Sequence, residues 1–178
     1  YDRAVGFFSS SIYVICWKTL KGFIERSGKM RFICSHFFPS DQDIDSIREG
    51  YSSRDDDAFI KIFQKELDEL LNNEILEKPT RVIASLVALG HIEFKIAFFG
   101  KNPVSQQKKL FHDKLGIFGN GNEYVVFKGS MNETWSGLSW DGNLDSVDVF
   151  INWSDIGEKK RVNTEREYFE KLWNNEWP

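Results

Sequence analysis

Ala4 to Phe8 is apolar almost throughout and predicts a short buried strand. Ser9, Ser10 and Ser11 follow, with hydroxyls that suit a helix N-cap. The helix they open is predicted through Ile12, Ile15, Cys16, Leu20, Phe23 and Ile24, a spacing that keeps one face apolar, and Gly28 ends it. Met30 to Cys34 predicts a second buried strand. Strand, helix, strand in that order implies parallel pairing. Ser40 then caps a short acidic helix, and Ser52 to Asp57 is a polar, charged break. From Asp57 a longer helix carries Phe59, Ile60, Phe63, Leu67, Leu70 and Leu71 on one side. Pro79, in a good first-turn position, opens another helix to about Leu89. These helices are expected to form one layer on the sheet.

The second half returns to strands. Glu93 to Phe99 alternates polar and apolar, and Gly100 to Gln107 reads as a polar loop. Lys114 to Phe118 and Tyr124 to Lys128 are two strands joined by Gly119-Asn120-Gly121-Asn122, a strong turn signal. Ser146 to Trp153 has a period of two, and Glu165 to Trp173 is a closing amphipathic helix with Tyr168, Phe169 and Leu172. The expected fold class is α/β, a mixed sheet with helices on both faces.

A chain of 178 residues with 41% hydrophobic and 15% aromatic side chains has material for one domain, 1–178, with one compact core. Phe7 to Leu20 is broken by serines and Lys18 and is too short to span a bilayer, so no membrane role is expected. The first residues run straight into a predicted strand, so the segment is expected either to be trimmed from a longer chain or to start very close to its first structural element. Cys16 and Cys34 lie in apolar runs and form no C-x-x-C pair. They read as buried free thiols in a reducing, cytoplasmic setting. The net charge of −4 cuts against sequence-independent DNA binding, in which Lys and Arg release counterions from phosphates. A local basic patch, or an attached segment, would have to supply that affinity.

The candidate chemistry lies between Phe111 and Phe150. His112-Asp113-Lys114 begins one strand of the predicted hairpin, and Gly129-Ser130-Met131-Asn132 ends the other. In an antiparallel hairpin those ends lie side by side. An imidazole is a competent nucleophile or proton carrier near neutral pH. Lys114 can supply charge to a phosphodiester anion, and Ser130 and Asn132 can supply hydrogen-bond donors. The set needs no metal or other cofactor.

His-x-Lys followed by Gly-Ser-x-Asn resembles the HKD signature of the phospholipase D superfamily, which includes nucleases as well as lipases. The strings His112 to Phe118 and Lys128 to Thr134 look closer to one branch, the phospholipase D-like domain at the N-terminal end of bacterial DEAD/DEAH-type helicases and restriction-like defence proteins. Ala4 to Ser9 and Met30 to Ser35 are similar to that branch too. The resemblance implies that His112 is a nucleophile forming a phosphohistidine, with Lys114 and Asn132 holding phosphate oxygens and Ser130 assisting. It implies that a later carboxylate orients the histidine, with Asp145 the best match and Glu133 a second candidate. Two departures stand out. The aspartate of the full pattern would fall at position 119, where this chain has Gly119. The superfamily also uses two histidines from two motifs, and this chain has one, so the resemblance implies a homodimer with a shared site.

Other features read more plainly. Asp41-Gln42-Asp43-Ile44-Asp45 begins like a calcium loop but has Ser46 and Ser52 where glycine and glutamate are needed, and reads as a solvated helix start. His36 reads as a loop residue and His91 lacks the Lys and GSxN context. Lys101, Lys108 and Lys109 could track a DNA backbone or simply be solvated. Trp135, Trp140 and Trp153 read as packing before base stacking, and Ser9 to Ser11 as caps. No G-x-x-x-x-G-K-[ST] occurs, so any motor lies elsewhere. The leading expectation is a DNA endonuclease domain associated with a helicase of a restriction or defence system. A non-catalytic nucleic-acid-binding module comes second. A lipid phosphodiesterase comes third, since no basic amphipathic helix is evident.

Overall fold

The structure, a computed structural model, describes residues 1–36, 38–72, 78–98 and 110–176. Six strands form one mixed sheet: β1 (Asp2–Val5), β2 (Met30–Ser35), β3 (Ile92–Ala97), β4 (Lys114–Asn120), β5 (Glu123–Gly129) and β6 (Val147–Ile151). Their spatial order is β3-β2-β1-β4-β5-β6. The three N-terminal strands pair in parallel, and the sheet continues with β4 antiparallel to β1, β5 antiparallel to β4 and β6 antiparallel to β5. This topology gathers the C-terminal ends of β1, β2, β3 and β5 at the edge where β4 and β6 begin.

Helices cover both faces, as the apolar patterning predicts. On one face lie α1 (Ile12–Glu25), α2 (Asp41–Ser52), α3 (Asp57–Leu71) and α4 (Pro79–Ala88). Seven consecutive α4 residues, Val82 to Ala88, are buried, and α2 and α3 pack against this helix. On the other face α6 (Ile156–Trp173) sets Val162, Phe169 and Trp173 on Ala4, Leu115, Ile117 and Val126. Each such buried apolar side chain contributes about 1.5–3 kcal/mol. A single turn, α5 (Trp135–Leu138), capped by Thr134, follows the GSxN segment.

Several boundaries differ from those read in the sequence. The first strand is Asp2–Val5 and breaks at Gly6, although Phe8 regains a single parallel bridge to Glu133. No serine side chain caps α1: the Ser11 hydroxyl donates to Ser9 Oγ instead. The buried stripe of α1 is Ile12, Tyr13, Trp17, Leu20 and Ile24, while Ile15 stays 40% exposed. The last helix begins at Ile156, capped by the Asp155 carboxylate, because its first turns are charged and solvent-facing and give no apolar period to read. Asp43 is not solvated but 1% exposed, whereas Trp140 is 97% exposed rather than packed, and Trp135 and Trp153 are also exposed. Cys34 is buried and Cys16 partly so, both as free thiols. The predicted loop Gly100 to Gln107 and the lysines Lys101, Lys108 and Lys109 lie outside the described residues. Among the described residues, no helix is long and apolar enough to cross a membrane.

Candidate active site

Pairing of Leu115 with Lys128 and of Ala4 with Leu115 fixes how the two motif segments meet. Beyond that register, β1 ends at Gly6, β4 has just begun after His112, and β5 ends at Gly129. The backbone of Phe7 to Ser9 then runs beside Asn132 and Glu133: the Glu133 N–H donates to Phe7 O at 3.2 Å, and the Ser9 N–H to Glu133 O at 2.8 Å. The first loop, the His112 segment and the GSxN segment therefore form one edge.

Gly6 sits at the centre of that edge. A Cβ on Gly6 would lie 3.0 Å from His112 Cδ2 and 3.3 Å from Asn132 Oδ1. The imidazole and the carboxamide thus close over the same point of backbone, a packing that only glycine permits without displacement. The sequence carried a signal for this residue in its isolated glycine at a strand end, which marks close approach. Phe7 completes the setting, its ring edge-on to His112 with centroids 6.5 Å apart.

Asn132, Lys114, Asp113 and Ser130 each have a defined partner. Asn132 Oδ1 accepts from the Phe7 N–H at 3.0 Å, which orients the side chain and leaves its NH2 to donate elsewhere. Lys114 lies opposite Val5, is buried, and donates from Nζ to the His112 carbonyl at 3.0 Å, tying the ammonium to the backbone of the histidine. Burial, aided by the Arg3 guanidinium, pulls its pKa below 10.5 against the opposing charges of Asp113 and Asp145. Asp113 faces the other way: its carboxylate accepts from the Lys114 N–H at 2.9 Å, and burial raises the Tyr168 phenol of α6, with Asp113 beside it raising it further. The Ser130 hydroxyl donates to Asp145 and accepts from the Ser146 N–H at 3.2 Å. Its hydrogen is therefore committed to Asp145, not free for a phosphate. Asp145 acts on Ser130 and, through its charge, on Lys114. Its second oxygen, Oδ2, is buried without a partner among the described residues.

Glu133 is placed differently from the other motif residues. Its carboxylate accepts from Arg3 Nε at 2.7 Å and from the Tyr1 hydroxyl at 3.2 Å, beneath α1. Arg3 is fully buried and also donates to Met131 O at 2.7 Å, with Phe127 under its guanidinium. The pair anchors the GSxN segment to β1. Of the two candidate carboxylates, Asp145 is the one whose charge reaches Lys114.

No family model matches the chain, and no curated protein matches it significantly.

Gly119, which stands where the HKD pattern has aspartate, is explained by packing. A Cβ there would lie 2.8 Å from the Tyr124 ring, over which Arg166 stacks at 3.5 Å. Position 119 is at the far end of β4 from His112, at about 3.3 Å per residue of strand, so this difference leaves the site untouched. His36 follows β2 at the site's edge of the sheet and stacks on Phe98 at 5.4 Å, while His91 Nδ1 meets Gly28 O at the opposite edge.

Lys114 gives a pH prediction. Its depressed pKa means the folded protein releases this proton below 10.5 while the unfolded chain still holds it. Between the two values stability rises with pH, but the charge available to a phosphate falls. Binding of a phosphodiester should therefore weaken along an alkaline limb that begins below 10.5. Lys114→Arg should remove that limb, and a pH series of affinity for a short oligonucleotide reads it.

Proposed function

We propose that this domain is a phospholipase D-type phosphodiesterase that cleaves DNA without a metal, as part of a helicase-associated restriction or defence protein. The observation that carries the reading is the closure of His112 and Asn132 over Gly6, with Lys114 bonded behind the histidine. In the proposed reaction an imidazole nitrogen of His112 attacks phosphorus and the P–O bond to the leaving strand breaks. A second histidine gives its proton to the leaving oxygen. Water then attacks the phosphohistidine, that second histidine takes a water proton, and the P–N bond breaks. Lys114 and the Asn132 NH2 offer charge and a donor to the phosphate oxygens.

The second histidine is assigned to a second copy of the chain. An apolar groove of about 460 Å³ between α1 and β4 to β6 supports such a partner, since Ile15, Phe118, Val147 and Val149 remain exposed around it. Met131 and Val147, which line it, carry the groove to the GSxN segment itself. Among its lining residues are no lysines or arginines, so it suits protein rather than nucleic acid. A binding-module reading has one observation in its favour: the Ser130 hydrogen is already taken by Asp145.

Plasmid cleavage in excess EDTA, run beside sedimentation, tests the reading. The expected result is EDTA-resistant nicking by a dimer, and loss of both dimer and nicking in Val149→Lys. Salt-sensitive binding without cleavage would favour the module, and undiminished cleavage by a strict monomer would overturn the shared site.

A further inference from the structure

The turn between α5 and β6, residues 139–146, leaves the edge of the sheet beside the GSxN segment and returns to it. Backbone bonds tie it down: the Ser139 N–H donates to Trp135 O at 2.8 Å, the Asn143 N–H to Ser136 O at 2.6 Å and the Ser130 N–H to Ser146 O at 3.1 Å. This pinned turn holds two large apolar side chains in solvent, Trp140 at 97% exposure and Leu144 fully exposed. One exposed leucine needs no explanation. A tryptophan and a leucine on one fixed turn form a convex apolar knob.

The same chain has an unfilled apolar groove immediately beside that knob. Leu138 and Val147, one on each side of the turn, line the groove of about 460 Å³ along α1, whereas Trp140 and Leu144 do not. Charge narrows what can fill it. Residues 139–149 contain Asp141, Asp145 and Asp148 and no lysine or arginine, which disfavours a phosphate backbone against the knob. The helix that walls the groove has the opposite balance. It carries Lys18 and Lys21 against the single acid Glu25, and Lys18 is exposed with no ion pair among the described residues. An acidic knob and an apolar groove with a cationic wall are complementary in shape and in charge. Both halves of the contact lie in one surface patch, so a two-fold axis can place each knob in the other copy's groove.

We infer that residues 139–146 of one copy insert into the groove of a second copy, reciprocally, with Trp140 as the anchor and Leu144 beside it. The inference rests on the assignment of that groove to a second copy and names the element that fills it; it does not depend on the chemistry at His112. Knob and groove both adjoin the GSxN segment, so the axis passes the end of the sheet where a shared site requires it.

Sedimentation velocity of the full chain over a concentration series tests this without any assay of cleavage. Trp140→Ser should weaken self-association at least about thirtyfold, the effect of losing a buried aromatic anchor. Its melting midpoint as a monomer should stay unchanged, since the indole is solvent-exposed in its own chain. Val149→Lys, which blocks the groove, should weaken association to a similar degree. The two variants are then mixed. A heterodimer keeps one intact contact, the knob of the Val149→Lys subunit in the groove of the Trp140→Ser subunit. The mixture should therefore associate more tightly than either variant alone. Dimers lost in Val149→Lys but kept in Trp140→Ser would overturn the inference while leaving the groove as the contact between copies. No gain on mixing would overturn it too, and a monomeric wild type would overturn both. Unchanged association with weakened oligonucleotide binding in Trp140→Ser would overturn it by giving the turn to DNA.

Discussion

Replacing His112 with alanine is expected to abolish phosphodiester cleavage while leaving the thermal midpoint unchanged. The imidazole is exposed and has no side-chain hydrogen bond among the described residues; its contacts are the Gly6 backbone and the edge of Phe7. Removing it should alter stability by no more than about 0.5 kcal/mol, as for an exposed side chain. The chemistry has no such tolerance. Loss of a covalent nucleophile typically costs at least about a thousandfold in turnover, and no other described imidazole lies against Asn132. Rates on a nicked-circle assay, with melting curves of the same preparations, check both halves. A variant that keeps wild-type rates would remove His112 from the mechanism.

Glu133→Gln should fail in the opposite manner, through the fold. Arg3 is fully buried and Glu133 nearly so, and breaking such a pair from one side leaves a buried charge uncompensated. The expected loss is about 3–5 kcal/mol, a large share of a small domain's stability. The urea midpoint should fall steeply. Asp145→Asn should instead spare the midpoint and lower cleavage, since Asp145 lies in a partly exposed edge and acts on Ser130 and Lys114. Reversed outcomes for the two carboxylates would exchange their roles.

The two motif segments were legible because strand periodicity and a Gly-Asn-Gly-Asn turn determine which chain ends meet. Once β4 and β5 pair, His112 and Ser130 must share an edge. The parallel pairing of β1 with β2 was equally readable from the strand, helix, strand order. The fate of the polar groups was not readable. Ser130 looked like a free donor, but its partner is 15 residues away at the start of β6. Glu133 and Asp145 are both carboxylates after the motif, and only three-dimensional packing gives one of them to Arg3. Arg3 itself, a charge inside a strand, is buried because Glu133, Met131 O and the Phe127 ring surround it. The burial of Asp43, which the sequence places in a solvated helix start, is unreadable for a related reason. Acidic residues in a first helical turn usually face water, and its burial depends on the Ser9 to Ser11 loop folding over it.

The claim that His112 is a nucleophile is tested most directly by trapping its intermediate. A DNA substrate labelled at phosphorus, quenched under mildly basic denaturing conditions during turnover, should leave label on the protein. Peptide mapping should place it on His112 as a phosphoramidate, stable to base and lost in acid. His112→Ala should carry none. Steady cleavage with no labelled protein at any time, or label on a residue other than His112, would contradict the account.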